Sequence, residues 1–276
     1  MRRAALLAAL ALAALPAQAQ FNLNLNRLLD SGKNLRQATG EVGEAEEVKI
    51  GAELAAKLLG AAPLVRNDAL QRYVNDVGRW LASQTERPDL PWRFGVIDSP
   101  DVNAFATPGG HILITRGMVE RMRNESELAG VLAHEIVHVL KKHHLKALQK
   151  TAQLELANTV LGSYSRGDAG AQQRREKLLS AGSEVYARGL DKDDELEADR
   201  LGVVIAARAG YDAYGLPSVL QTLQAMNAQD SALALMFKTH PAPAERLAAL
   251  EPMQNVMDAT AGRPRLAARF SGALGH

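Results

Sequence analysis

The sequence predicts a mainly α-helical α+β fold with one small β-sheet. Apolar residues recur at helical spacing over most of the chain between residues 44 and 250. Strand-like segments are confined to residues 92–115. The chain has 276 residues, of which 47% are hydrophobic and 23% charged. This is the balance of a globular protein, with room for one or two domains and a sizeable core.

The N-terminus reads as a signal peptide spanning residues 1–19. Arg2 and Arg3 supply its positive start, and the apolar stretch that follows, residues 4–15, is too short to span a bilayer. We expect cleavage after Ala19 and export, to the periplasm if the source is a Gram-negative bacterium; the alternative is an uncleaved interfacial helix. Residues 20–41, rich in polar residues and glycine, are predicted to form a flexible lead-in.

Composition excludes several classes of function. There are no cysteines, so disulfides, thiolate metal ligands and a cysteine nucleophile are ruled out, and a metal must be held by His and carboxylates. Without Arg2 and Arg3, 30 Lys+Arg face 31 Asp+Glu, a net charge of −1 that gives no support to nucleic-acid binding. No later stretch has 18 uninterrupted apolar residues, so we do not expect the mature chain to span a membrane.

Apolar spacing and breaker residues set the expected elements. The strands are expected at Trp92–Ile97, Val102–Ala106 and His111–Thr115, the last two joined by a turn over residues 107–110. The main helices are expected at Glu44–Leu59, Asp68–Ser83, Glu125–Gln149 (capped by Asn124), Asp191–Arg208, Leu216–Ala228 and Pro243–Leu250.

The central helix carries a buried group of polar residues, His134, Glu135 and His138. Residues four apart lie on one helix face, so both imidazoles can reach one ion at about 2.0–2.1 Å. Glu135 is rotated by about 100° and lies beside the ion, where it can take a proton from a bound water. This H-E-x-x-H pattern is typical of zinc metalloproteases. The alternative is a structural helix whose histidines bond backbone carbonyls, but any unsatisfied polar group would then cost about 1–3 kcal/mol.

A catalytic zinc needs a third protein ligand. Of the downstream acidic residues, only the cluster at residues 191–199 lies on an apolar-spaced helix. Glu195 and Asp199 share a face there, and Ala198 is small enough for a close helix approach. We therefore predict Glu195 as the ligand and Asp199 as the acceptor for the other ring N–H of a ligating His, with Glu197 pointing elsewhere. A dipole-favoured acidic helix start is the alternative, but it does not account for Asp199.

Other residues near the motif also have expected roles or positions. Asn103, Ala104, Phe105 and Ala106 are candidates for an edge strand that pairs with an extended peptide across the metal, although a structural hairpin explains them equally. His111 is predicted to be structural or exposed. His143 and His144 follow His138 by five and six residues, so they are expected to lie off the metal face or a turn too far and to be exposed to solvent.

The paired motifs His134–His138 and Glu195–Arg200 resemble the gluzincin metallopeptidase family that includes HtpX, the CAAX prenyl endopeptidases and BepA. The resemblance covers roughly residues 42–250 and extends to residues 103–106, 108–110, 127–129 and 239–241. It implies a zincin-like fold, one zinc ion per chain and endopeptidase activity. It also implies that Glu195 is the third metal ligand and that Asp199 lies behind the ligands as a supporting partner.

The resemblance adds two further candidates. His240 precedes a proline in a loop that lies near the metal in the family, where it either steadies the oxyanion or occupies the open coordination position. A capping His ahead of a helix begun by prolines is the alternative. Arg246 is a candidate for binding substrate or organising the site.

The sequence therefore predicts a metallopeptidase domain over residues 42–252 and a basic C-terminal tail over 253–276. The expected substrates are unfolded or misassembled polypeptides of the cell envelope, including outer-membrane proteins, because the chain is most similar to exported single-domain members. The alternative is a latched or weakly active metalloprotein with a chaperone-like or scaffolding role. A small-molecule amidase is disfavoured because an edge strand suits extended peptides.

Overall fold

The computed structural model describes residues 42–162, 171–227 and 229–275. The predicted signal peptide, its cleavage site and the lead-in segment lie outside the described residues. No helix in those ranges is both long and apolar enough to cross a membrane.

The strands are β1 (Arg93–Ile97), β2 (Ala104–Thr107) and β3 (His111–Thr115). The helices are α1 (Glu44–Ala61), α2 (Asp68–Ser83), α3 (Arg116–Val119), α4 (Glu125–Leu140), α5 (His143–Gly162), α6 (Ala171–Arg188), α7 (Lys192–Arg208), α8 (Gly215–Ala225), α9 (Ala234–Thr239), α10 (Pro243–Ala249), α11 (Gln254–Asp258) and α12 (Ala267–Leu274).

The three strands form one sheet in the order β1-β3-β2. β1 runs parallel to β3, whereas β2 runs antiparallel to it, with Phe105 opposite Leu113. β2 therefore lies at an edge of the sheet, as the sequence predicted. The predicted turn between β2 and β3 is confirmed, and Gly109 has φ +75° there. A Cβ on Gly109 would lie 2.5 Å from the Cα of Val48, so only glycine allows the turn to pack on α1.

Helix α4 lies at the centre of the core, packed against α2, α7, α8 and β2. Asn124 caps its start as predicted, because its side chain accepts a hydrogen bond from the Glu127 backbone N–H at 3.1 Å. Helix α7 approaches α4 closely at Gly202, where a Cβ would lie 3.0 Å from the backbone nitrogen of His134. This close approach positions the acidic side chains of α7 over the histidines of α4.

The prediction of one continuous helix from Glu125 to Gln149 is wrong. α4 ends at Leu140, and Lys142 adopts a left-handed conformation with φ 57° before α5 begins at His143. A residue at positive φ cannot continue a right-handed helix. The Lys142 amino group lies 3.2 Å from the buried carboxylate of Glu47, an ion pair that links this turn to α1. The chain therefore changes direction directly after the metal-binding motif.

The segment predicted as a basic tail packs against the domain. Phe270 on α12 is only 1% exposed and belongs to the main core. Arg263 donates to the Ala207 carbonyl oxygen at 2.6 Å, and Arg265 contacts the buried carboxylate of Asp212 at 2.9 Å. The positive charges of this segment therefore neutralise or cap groups of the helical core. The domain boundary at residue 252 stays a prediction.

Candidate metal centre and active site

Three buried side chains converge where α4 meets α7. The Nε2 atoms of His134 and His138 lie 3.1 Å apart, and the Glu195 carboxylate oxygens lie 3.5 and 3.6 Å from them. Two ligand atoms at 2.1 Å from a tetrahedral centre are separated by about 3.4 Å. The observed spacings therefore match a mononuclear site, and these three residues form a group that could hold a metal ion.

The protonation states of Glu195 and His138 fit a cation. Burial and Arg246 lower the pKa of His134, but hydrogen bonds to Asp199 and Glu195 raise it to about 9, so metal binding would release a proton from this ring. The Oε2 atom of Glu195 is buried and has no hydrogen-bond partner within the described part of the chain. Burial alone would raise the pKa of Glu195, but the imidazoles of His240, His138 and His134 bring it well below its usual range. Burial also lowers the pKa of His138 well below the ordinary value. A charged carboxylate with an unpaired oxygen beside a neutral imidazole is the donor set that zinc uses.

Asp199 lies directly behind His134, as predicted. Its Oδ1 atom is 2.9 Å from Nδ1 of His134, so the Nε2 atom of that ring faces the cluster. Arg246 donates to both Asp199 oxygens, at 2.6 and 2.8 Å. Burial would raise the pKa of Asp199, but Arg246 and His134 lower it to about 2.

Arg246, predicted either to bind substrate or to organise the site, lies behind the cluster. It is 4% exposed, and its guanidinium is engaged by the buried carboxylate of Asp199. Of its two predicted roles, the geometry favours organising the site over contacting a substrate.

Glu135 lies beside the ligands, next to the sheet edge. It is 3% exposed, and the backbone of Ala106 on β2 faces its carboxylate. Burial raises the pKa of Glu135 to about 7, against the opposing effect of His134. A carboxylate with a pKa near neutrality is suited to accept and return a proton at physiological pH.

His240 enters the site from the loop after α9. Its Nε2 atom is 3.6 Å from the Oε2 atom of Glu195, and its Nδ1 atom is 2.9 Å from the Thr239 hydroxyl. Burial lowers the pKa of His240 to about 4, so the imidazole is neutral. Ala242, not His240, is the N-cap of α10, which removes the capping alternative. The position fits both functional roles predicted for His240.

The predicted substrate strand borders the same site. Asn103, Phe105, Glu135 and His240 line one cleft, together with Tyr186 from α6. The Asn103 side chain accepts a hydrogen bond from the backbone N–H of Ala104 at 3.0 Å. His111 begins β3 and does not belong to the cluster of His134, His138 and Glu195 or to the second group that could hold a metal among the described residues, His134, Glu135 and His240.

The predicted exposure of His143 and His144 is wrong. His143 is 1% exposed, and its Nδ1 atom lies 3.0 Å from Nδ1 of His138. Its Nε2 atom lies 3.1 Å from the Oε2 atom of Glu197. The sequence analysis expected this glutamate to point elsewhere. His144 is half-buried and stacks on Tyr186 with 5.0 Å between ring centroids.

The turn at Lys142 explains this error, because it folds α5 back against α4 instead of extending the helix into solvent. His143 and Glu197 are thus site residues that sequence reasoning missed. An adjacent histidine pair after the motif was the available indication, but its orientation depends on that turn.

This mainly helical fold, with a small sheet and a His-His-Glu cluster on two packed helices, defines a zincin-like metallopeptidase domain. The profile of peptidase family M48 matches residues 68–254. The chain belongs to peptidase family M48, which confirms the resemblance inferred from the motifs.

Several curated relatives carry related names. The chain is 32% identical over 208 residues to the Beta-barrel assembly-enhancing protease of Escherichia coli (strain K12), covering 74% of this chain and 42% of that protein. It is 30% identical over 191 residues to a Putative beta-barrel assembly-enhancing protease of Vibrio cholerae, covering 67% and 39%. It is 28% identical over 178 residues to the Mitochondrial metalloendopeptidase OMA1 of Arabidopsis thaliana, covering 64% and 34%. The chain thus matches about two fifths of the length of these relatives.

Proposed function

We propose that this protein is a zinc-dependent endopeptidase that hydrolyses peptide bonds in unfolded or misassembled cell-envelope proteins of the periplasm, outer-membrane proteins among them. The observation that carries the proposal is the convergence of His134, His138 and Glu195 around an unpaired carboxylate oxygen, with Glu135 alongside. Nitrogen and oxygen donors in this number favour zinc. The relatives named for β-barrel assembly support the substrate class.

In the proposed mechanism His134, His138 and Glu195 would hold the ion, which when bound would act as a Lewis acid and lower the pKa of a water to about 7. Asp199 fixes the ring orientation of His134 through its 2.9 Å contact. Glu135 accepts the proton of the attacking water and donates it to the leaving nitrogen. The edge of β2 holds the substrate backbone extended next to Glu135.

The test is cleavage of an unfolded polypeptide by the purified chain. The zinc-loaded protein is expected to cleave reduced casein and an unfolded outer-membrane protein. A chelator should stop the cleavage and added zinc should restore it. Zinc-loaded protein that binds one ion per chain yet cleaves neither substrate would contradict the proposal.

A second candidate function is a latched metalloprotein with a chaperone-like or scaffolding role. The observation in its favour is the Nε2 atom of His240, which lies 3.6 Å from Glu195 and can supply a fourth ligand. Replacing His240 with Ala separates the two roles of this residue. A gain of casein cleavage favours a latch, whereas a loss favours assistance to catalysis, and an unchanged rate contradicts both.

His143 is expected to strengthen metal binding through His138. The His143→Ala change removes the 3.0 Å contact to Nδ1 of His138, and losing such a partner behind a ligand typically weakens metal affinity about 10–100-fold. Competition with a fluorescent zinc chelator at fixed pH measures the change. His111→Ala, which removes a partly buried histidine outside the cluster, is the matched control and should leave the affinity unchanged. Equal affinities for wild type and the His143 variant would refute this role.

A further inference from the structure

The edge of β2 that faces away from β3 is formed by the backbone of Ala104 and Ala106, and the Ala104 N–H there donates to the Asn103 side chain at 3.0 Å. The Thr115 backbone N–H donates to the Asn103 carbonyl oxygen at 3.0 Å, and Phe105 lies opposite Leu113 in the antiparallel register. Backbone groups alternate in direction along a strand, so the N–H and C=O groups of Asn103 and Phe105 point toward β3. The N–H and C=O groups of Ala104 and Ala106 therefore point away from the sheet.

The outward groups of Ala106 face two side chains of the site. Its N–H is directed at the Glu135 carboxylate and lowers the pKa of that group, and its carbonyl oxygen accepts a hydrogen bond from the Tyr186 hydroxyl at 2.8 Å. An added strand binds a sheet edge through such outward N–H and C=O groups. Tyr186 thus occupies a backbone acceptor of β2 that an extended polypeptide would use.

The Tyr186 side chain is held across the cleft by aromatic contacts. Its ring stacks on His144, with centroids 5.0 Å apart and an interplanar angle of 21°, and meets the edge of Phe105 at 6.3 Å. Its hydroxyl is not needed for either contact, because both involve the ring. The hydroxyl and the ring can therefore be tested separately.

The end of α6 is fixed next to the His240 loop. Gly189 follows α6 with φ +82°, and a Cβ there would lie 2.1 Å from the Thr239 carbonyl oxygen. The chain therefore packs directly against the residue before His240. Tyr186 and His240 enter the same cleft from segments that are in contact with each other.

We propose that Tyr186 acts as a gate for substrate binding to β2. Its hydroxyl donates a hydrogen bond to the Ala106 carbonyl oxygen, and a backbone N–H of the extended polypeptide substrate takes the place of that hydroxyl. This inference rests on the proposed peptidase function. When substrate binds, the Ala106 carbonyl oxygen loses the hydrogen bond from Tyr186 and gains one from the substrate backbone. Removing the hydroxyl should therefore favour substrate binding by roughly two- to tenfold, the range set by one ordinary hydrogen bond.

The test uses Tyr186→Phe, which keeps the ring and removes only the hydroxyl. With a zinc-loaded protein, KM for an unfolded peptide is expected to fall by roughly two- to tenfold while kcat is unchanged. Tyr214→Phe is the matched control, since it removes a hydroxyl that bonds to Asp258 outside the cleft, and it should leave KM unchanged.

A binding measurement separates failure of the gate from failure of the proposed function. In a Glu135→Gln background, the dissociation constant for fluorescein-labelled reduced casein should fall by the same factor when Tyr186→Phe is added. Tighter binding without cleavage by any Glu135-containing protein supports the gate and overturns the peptidase proposal. Unchanged or weaker binding overturns the gate. A drop in kcat at constant KM also overturns it, because that result makes Tyr186 a catalytic residue.

Discussion

Glu135→Gln is expected to lower kcat/KM for an unfolded polypeptide by about 10²–10⁴-fold, the usual contribution of a general base. Glutamine has nearly the same shape, but its amide cannot accept a proton from water. Burial raises the pKa of Glu135 to about 7, so the carboxylate is a stronger base than an exposed one. The change thus removes the base and leaves the cleft intact.

The zinc content distinguishes this loss of the base from a loss of the site. Because the proposed ligands are His134, His138 and Glu195, the variant should bind one zinc with wild-type affinity. Glu120→Gln removes an exposed glutamate that pairs with Arg116, and its activity should equal that of the wild type. Cleavage retained by the Glu135 variant, with contaminating protease excluded, would refute the mechanism.

The metal cluster was predictable because its key relations are local. His134 and His138 are one helical turn apart, and so are Glu195 and Asp199, so helix geometry alone fixes which side chains share a face. Their meeting required only that two apolar helices pack with the polar faces inward. The pairing of β2 with β3 was likewise predictable, because two short strands joined by a tight turn form a hairpin, whereas the edge position of β2 depends on the parallel pairing of β1 with β3.

The missed contacts all depend on tertiary structure. The position of His143 follows from a left-handed Lys142, and a lysine in that conformation is unusual enough that sequence alone does not predict it. Tyr186 meets Ala106 across 80 residues of sequence, and no periodic pattern specifies which side chain of α6 reaches the sheet. The ordering of the basic C-terminal segment depends on buried partners such as Asp212, whose burial appears only in the folded core.

Arg246→Leu is expected to destabilise the zinc-free protein by about 3–5 kcal/mol, the cost of leaving a buried charge without its partner. Asp199 is 0% exposed, and Arg246 supplies two of its short contacts, at 2.6 and 2.8 Å. Urea unfolding followed by circular dichroism measures the change. Because Asp199 is fully enclosed, water cannot replace the guanidinium at low cost.

A double-mutant cycle shows whether this cost arises from the pair. Asp199→Leu combined with Arg246→Leu removes both charges, so it should destabilise much less than the sum of the single changes.

In the wild type the pKa of Asp199 is lowered from 3.8 to about 2, so its stabilisation is complete above pH 3.8 and is lost as the pH falls through 2. Without Arg246, burial raises the pKa of this carboxyl, and protonation relieves the unpaired charge. The penalty of Arg246→Leu should therefore shrink as the pH is lowered toward 4. An Arg246→Leu protein that keeps its stability but binds unfolded substrate more weakly would instead place the guanidinium in the substrate site.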